Sequence, residues 1–314
     1  MLLLALIDFL CSYITTILLL IDLYDAYESQ TQKLCFHRLL SQGFARRKSR
    51  AKSICLYAIL AMQVDSDGFE DDAIDKGFQF MNTGVGNETN FRIEVNSIPI
   101  TLSQDPHNTA IGHGAVVWEA SVIFAKYLEH SSDKGLSPAN LKGKRVIELG
   151  CGPGLGGLAL MLAGCEVVFT DLNCVIDELT NKNVERVYRN LMSQGANGLD
   201  LVKPKLHPLD WTDKSGIATI KCVAKCYEGF NIVLLCDCVF SELLVPDLVR
   251  SISEACGPRA VVYCVHEIRD ESANEAFLKE LSKSFTLKTV PKGKQHPEYT
   301  HPLVQLVVAK PRRR

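Results

Sequence analysis

Residues 145–173, RVIELGCGPGLGGLALMLAGCEVVFTDLN, run from one apolar stretch through a glycine cluster into a second apolar stretch that closes on an acid. RVIEL and EVVFTD are too short and too continuously apolar for surface helices, and a helix fits between them from Leu155. They therefore read as buried parallel strands joined by a helical crossover. An open parallel sheet takes its ligand beyond the carboxyl ends of its strands, so the first strand end, Glu148 to Gly150, marks the site. Gly150, Gly152 and Gly154 permit a tight turn there and clear side chains from an approaching ligand.

The flanking sequence extends this unit. NFRIEVNSIPITLS alternates Phe91, Ile93, Val95 and then Ile98, Ile100, Leu102, which predicts a hairpin turning near Asn96 and Ser97. GAVVWEASVIFAKYLE has apolar residues at helical spacing, with Trp118 near the first turn. Beyond residue 173, KPKLHPLDW, NIVLLCD and AVVYCVHE read as further strands, with helices around CVIDELTNKNVERVYRNLM, PDLVRSISEA and ANEAFLKELSKSF. The order is that of a doubly wound α/β sheet. TLKTVP and LVQLVVAK close the chain with no helix between them, so that pair is expected to be antiparallel.

The chain of 314 residues is 47% hydrophobic and 22% charged, enough to bury a full core. Its formal charge of -2 gives no argument for nucleic acid, and the basic KPRRR terminus reads as a solvated end. The 12 cysteines show no paired CxxC spacing, so no metal is expected and the thiols fit a reducing, cytoplasmic setting. Residues 1–61 form an apolar and then basic leader, in which Asp8 and Asp22 interrupt the apolar run. Three readings of it stand: a membrane anchor through residues 1–24, a buried helix, or a start placed too early, with Met62 the alternative initiator. Residues 62–88 read as a flexible acidic linker, and 89–314 as the folded domain.

Gly152 to Gly157 satisfies G-x-G-x-x-G, which with Asp171 after the second strand describes a dinucleotide site, and a glycine turn without any ligand is the plainer alternative. The wider pattern is E-x-G-x-G-x-G from Glu148 to Gly154, and it resembles the first motif of the class I S-adenosylmethionine-dependent methyltransferases. That ligand carries no pyrophosphate, and its ribose hydroxyls suit a carboxylate such as Asp171. The antiparallel final pair agrees with the seven-strand, Rossmann-like sheet of those enzymes. Further motifs narrow the likeness. VVWEA, LLCDCVF and CVHEIRD are similar to motifs of the methyltransferase-like 21 group of protein-lysine methyltransferases, and FTLKTVPKGKQHPEY is similar to the tail of the member that modifies valosin-containing protein. The likeness covers roughly residues 89–311.

By that resemblance S-adenosylmethionine is the cofactor, lined by Trp118, Gly150, Cys151, Gly152, Gly154, Asp171, Trp211 and the backbone at Cys236. Glu148 braces the loop or holds the cofactor's amino group. Asp237 faces the acceptor amine of a protein substrate, by family likeness an AAA ATPase or chaperone. Glu267 and Arg269 either flank the channel or form a surface ion pair. Phe240 stands where the group has tyrosine, which removes a hydrogen-bonding phenol and keeps a ring face. Another nitrogen or small-molecule acceptor, or a cofactor-binding protein without activity, are the alternatives the residues leave open.

Overall fold

The computed structural model describes residues 89–108, 111–194 and 201–312, so the expectations placed on residues 1–61 and 62–88 lie outside it. The amino-terminal strands β1 (Asn90–Val95) and β2 (Ile98–Ser103) pair antiparallel with Val95 opposite Ile98. Asn96 and Ser97 make the connection at φ 51° and 61°, the two left-handed positions that match hairpin twist.

Seven strands follow in one sheet: β3 (Arg145–Leu149), β4 (Glu166–Asp171), β5 (Lys205–Pro208), β6 (Phe230–Cys236), β7 (Cys256–Glu267), β8 (Phe285–Thr289) and β9 (Val304–Pro311). Their spatial order is β5-β4-β3-β6-β7-β9-β8. All neighbours are parallel until β9, which runs antiparallel to both β7 and β8. The expected antiparallel closing pair is present, with the last strand inserted between β7 and β8. The outermost β5 is four residues long and ends at Pro208, a short edge that discourages pairing with another chain.

The central strands are apolar on both faces because helices cover both. Helix α1 (Glu119–His130), α2 (Leu155–Leu162) and α3 (Asn181–Ser193) share a core with Val146, Phe169, Leu234 and Val265. The alternate residues Ile147, Leu149, Val233 and Leu235 are equally buried and point to the other face. There α5 (Val245–Ala255) packs on β6 and β7, with α4 (Gly216–Val223) and α6 (Glu271–Ser282) beside it.

Two local readings change. KPKLHPLDW gives only a four-residue strand, leaving Trp211 three positions beyond its end. Helix α4 has no counterpart in the sequence reading, because GIATIKCV is only eight residues long and, apart from Ala218 and Lys221, consists of glycine, β-branched residues and cysteine, which are weak helix formers. Parallel β5 and β6 still need a crossover, and the chain supplies it.

The hairpin is fastened to the sheet domain by Asn183, fully buried on α3. Its Oδ1 accepts from Ser103 N at 2.8 Å, and its Nδ2 donates to Ser103 O at 2.8 Å and to Pro153 O at 3.3 Å. One side chain thus joins the end of β2 to the glycine turn. Asn183→Ala strands these partners, and urea unfolding is expected to show a loss of about 1–3 kcal/mol; an unchanged midpoint would remove Asn183 from this role.

Candidate active site

The turn after β3 is left-handed at Gly150, Gly152 and Gly154, with φ of 68°, 50° and 98°. A Cβ on Gly150 would lie 2.7 Å from Cys238 Sγ and 3.1 Å from Trp211 Cζ2, so this glycine is required by the indole that covers it. Gly154 forms the amino-terminal boundary of α2. Beneath the first turn of that helix lies Glu148, 1% exposed, whose Oε2 accepts from Gly157 N at 2.9 Å. Side chains at Gly156 or Gly157 would come within 2.5 and 2.6 Å of the Glu148 carboxylate, so the paired glycines let the helix settle onto it.

Asp171 ends β4 and turns back onto the same loop. Its Oδ2 accepts from Gly152 N at 2.8 Å and its Oδ1 from Leu172 N at 2.7 Å. Thr180 Oγ1 donates to Gly152 O at 2.6 Å from a π turn, Ile176–Thr180, that leads into α3. Cys151, buried between these ties, has its Sγ 3.8 Å from Thr180 Oγ1.

The neighbouring strand ends build the other half of the site. Cys236 closes β6, and the next residue, Asp237, adopts φ 61° while its N–H bonds Val265 O at 2.8 Å. Its side chain is 2% exposed; Oδ1 accepts from Glu267 N at 3.0 Å and Oδ2 pairs with Arg269 Nη2 at 3.1 Å. Arg269 also pairs with Glu267 Oε2 at 2.9 Å and lies over the Trp118 ring at 4.5 Å. Trp118 immediately precedes α1, and its Nε1 donates to His113 O at 2.8 Å. Phe240, 37% exposed, bridges His113 and Trp211 at ring separations of 6.0 and 6.3 Å.

Every residue singled out in the sequence therefore lies along this carboxyl edge, linked through a chain of contacts from Asp171 and the glycine turn to Trp211, Phe240, His113, Trp118, Arg269 and Asp237. Glu267 and Arg269 form a three-way network with Asp237, more than a surface pair. Residues that sequence reasoning missed are His113, Glu119, Thr180 and Asn183. Glu119 has a signal as the acid of VVWEA, but no local spacing marks His113, Thr180 or Asn183. Glu119 follows Trp118 directly, is 9% exposed, and has Oε1 buried without a hydrogen-bond partner.

The arrangement suits a ligand with a sugar and a positive centre better than a pyrophosphate. The Gly152 N–H that would meet a phosphate is already taken by the Asp171 carboxylate, whose charge repels an anion there. Each Asp171 oxygen keeps a second lone pair for a hydroxyl donor. The aromatic faces of Trp118, Trp211 and Phe240 supply apolar walls.

Three carboxyls of the site titrate above their ordinary range: Glu148 at about 8, Glu119 at about 7 and Asp171 at about 6, each chiefly because burial strips water from the charged form. The Gly157 N–H opposes the shift at Glu148, and the Gly152 and Leu172 N–H groups oppose it at Asp171. The folded chain thus keeps protons that the unfolded chain has released. Stability from these groups is complete below the unfolded pKa values near 4 and is lost as pH rises through the folded ones. Thermal unfolding is expected to show Tm falling from pH 5 to pH 8.5. Glu148→Gln, which still accepts from Gly157 and cannot ionise, should flatten the upper part of that fall; a wild-type Tm indifferent to pH would contradict the burial account.

Comparison with known proteins places residues 95–284 within a family described as lysine methyltransferase. The chain is 30% identical over 191 residues to protein N-lysine methyltransferase METTL21A of Danio rerio, spanning 61% of this chain and 76% of that protein. It is 26% identical over 172 residues to EEF1A lysine methyltransferase 3 of Mus musculus, spanning 54% of this chain and 63% of that one. Protein-lysine methyltransferase METTL21E of Bos taurus is 26% identical over 178 residues, with 57% of this chain and 55% of that protein covered. Among solved structures, the 16S rRNA N2 G1207 methyltransferase of T. Thermophilus, in complex with AdoMet and guanosine, aligns over 71% of this chain and 50% of its own at TM-score 0.46 and 18% identity.

Proposed function

The chain belongs to the lysine methyltransferase family, an S-adenosylmethionine-dependent protein-lysine methyltransferase, and from that premise we propose how its own residues perform the reaction. Asp171 holds the ribose, the turn from Gly150 to Gly154 carries the amino-acid part, and Trp118, Trp211 and the Cys236 backbone enclose the rest. Glu148 acts from below, as the brace of α2. Asp237 and Phe240 form the acceptor side. The observation that carries this reading is the seating of Asp171 on Gly152 N–H, which favours a cationic ligand with a ribose over a pyrophosphate.

S-adenosylmethionine, when bound, supplies a methyl group already activated on a sulfonium, so the protein's task is alignment and preparation of the amine. An ordinary lysine with pKa near 10.4 costs about 4.6 kcal/mol to deprotonate at pH 7, at 1.36 kcal/mol per unit. Apolar walls favour the neutral amine, whereas a lone carboxylate beside it favours the cation. Asp237 avoids acting as a lone charge: Arg269 compensates it and the Glu267 N–H fixes its plane, leaving its remaining lone pairs to orient the nitrogen. Phe240 offers its face to the lysine stem and its cation.

The similarity of FTLKTVPKGKQHPEY to the valosin-containing-protein methyltransferase supports an AAA ATPase or chaperone as substrate. The free thiols of the described residues fit a cytoplasmic setting. Among the described residues no helix is long and apolar enough to cross a membrane, and an anchor through residues 1–24 would show as detergent-dependent extraction lost in a chain starting at Met62.

Calorimetry should detect S-adenosylhomocysteine binding and no NAD binding, and labelled S-adenosylmethionine with cell lysate should place label on protein lysine. Label on a small molecule would redirect the acceptor, and binding without transfer would make Phe240 the mark of an inactive relative. Asp237→Asn tolerates the left-handed backbone. It should cut the single-turnover rate roughly 100-fold, the scale of losing one preorganised polar group, with S-adenosylhomocysteine affinity retained. An unchanged rate would remove Asp237 from the acceptor side.

A further inference from the structure

Two carboxylates, Asp237 and Glu267, pair with one guanidinium, Arg269, and a third, Glu119 at the head of α1, lies within electrostatic reach of all three. Asp237 and Glu267 both pair with Arg269, at 3.1 and 2.9 Å. Glu119 is left over. It is 9% exposed, its Oε1 is buried with no hydrogen-bond partner, and it feels Glu267 and Asp237 as like charges and Arg269 as an opposite one. A buried carboxylate oxygen without a partner is costly, and such atoms persist where a ligand completes them. With three acids around one guanidinium the cluster has surplus negative charge, beside the Trp118 ring that Arg269 already covers.

We propose that Glu119 receives the head group of the acceptor lysine, pairing with its ammonium and taking its proton before transfer. This deepens the methyltransferase reading and rests on it. In the step, an N–H bond breaks and an O–H bond forms at the Glu119 carboxyl. The lone pair freed on nitrogen then bonds the donor's methyl carbon, and the pair of the broken carbon–sulfur bond stays on sulfur. The glutamic acid afterwards returns its proton to solvent. Burial first, then the charges of Glu267 and Asp237, lift Glu119 to about 7, which makes it a better proton acceptor than an ordinary carboxylate, while Arg269 opposes that rise. His113 faces Arg269 from the preceding loop, and loss of solvation followed by that charge lowers its pKa. Asp237 keeps the orienting role, since its oxygens already hold Arg269 and the Glu267 N–H.

The test uses the full chain and n-butylammonium as the probe of the lysine head group. S-adenosylhomocysteine is titrated first; failure at that step would overturn the cofactor reading itself, and is separate from any failure to bind the amine. With that site saturated, wild type should bind n-butylammonium roughly tenfold more tightly at pH 8 than at pH 6, because Glu119 ionises across that window. Near pH 7, paired buffers of different ionisation enthalpy should register proton release as the arriving cation drives Glu119 to its charged form. Glu119→Gln, close in shape, should abolish both the pH dependence and the proton release while retaining S-adenosylhomocysteine affinity. Equal binding and equal pH dependence in wild type and variant would overturn the proposal. Should Glu119→Gln fail to fold, Glu119→Asp supplies the comparison: proton release should persist with weakened affinity, and affinity unaltered by the shorter stem would count against Glu119 as the receptor.

Discussion

The glycine turn after β3 keeps its shape because two carboxylates hold its backbone from different directions. Glu148 grips the Gly157 N–H from beneath and Asp171 grips the Gly152 N–H from the adjoining strand end. With Thr180 on the carbonyl of Gly152 and Asn183 on that of Pro153, the loop is tied to β4, to the helical segment after it and to the hairpin. Helix α2 can approach so closely only because Gly156 and Gly157 leave room for Glu148 and Phe169. With the Gly152 N–H taken by the Asp171 carboxylate, the loop is poorly disposed toward phosphate and well disposed toward a positively charged ligand.

The acceptor half depends on a different solution to the same problem of buried charge. Asp237 sits at the end of a central strand where water has little access, so it persists as a partner of Arg269 and of the Glu267 backbone. Arg269 in turn has its plane fixed by two carboxylates and the Trp118 ring. This leaves a rigid polar floor between apolar walls. In the proposed reaction such a floor orients the amine without water's reorganisation cost, which is the contribution a protein can make when the methyl donor is already activated.

Much of this is legible in the chain itself. RVIEL, EVVFTD and NIVLLCD announce buried strands because they are short, apolar and rich in β-branched residues, and the alternation from Phe91 to Leu102 announces the hairpin. Gly150, Gly152 and Gly154 are readable because φ above zero is a local demand that glycine meets most easily. Helix α4 is not, since eight residues are too few to hold a helix on their own and tertiary packing decides their state. Thr180 and Asn183 give no signal, because a polar residue on an amphipathic helix looks the same whether it faces solvent or fastens a distant loop.

The sequence by itself determined the alternation of strands and helices, the sheet edge that carries the candidate site, and the acids at the ends of β3, β4 and β6, because periodicity and backbone preference act over a few residues. Tertiary structure alone decided the partners of those acids. Strand order brings the end of β6 beside the end of β7 and the start of α1, so that Asp237, Glu267, Arg269 and Glu119 meet although they lie far apart along the chain. Charge pairing depends on distance and burial in space, and neither quantity is written in local pattern.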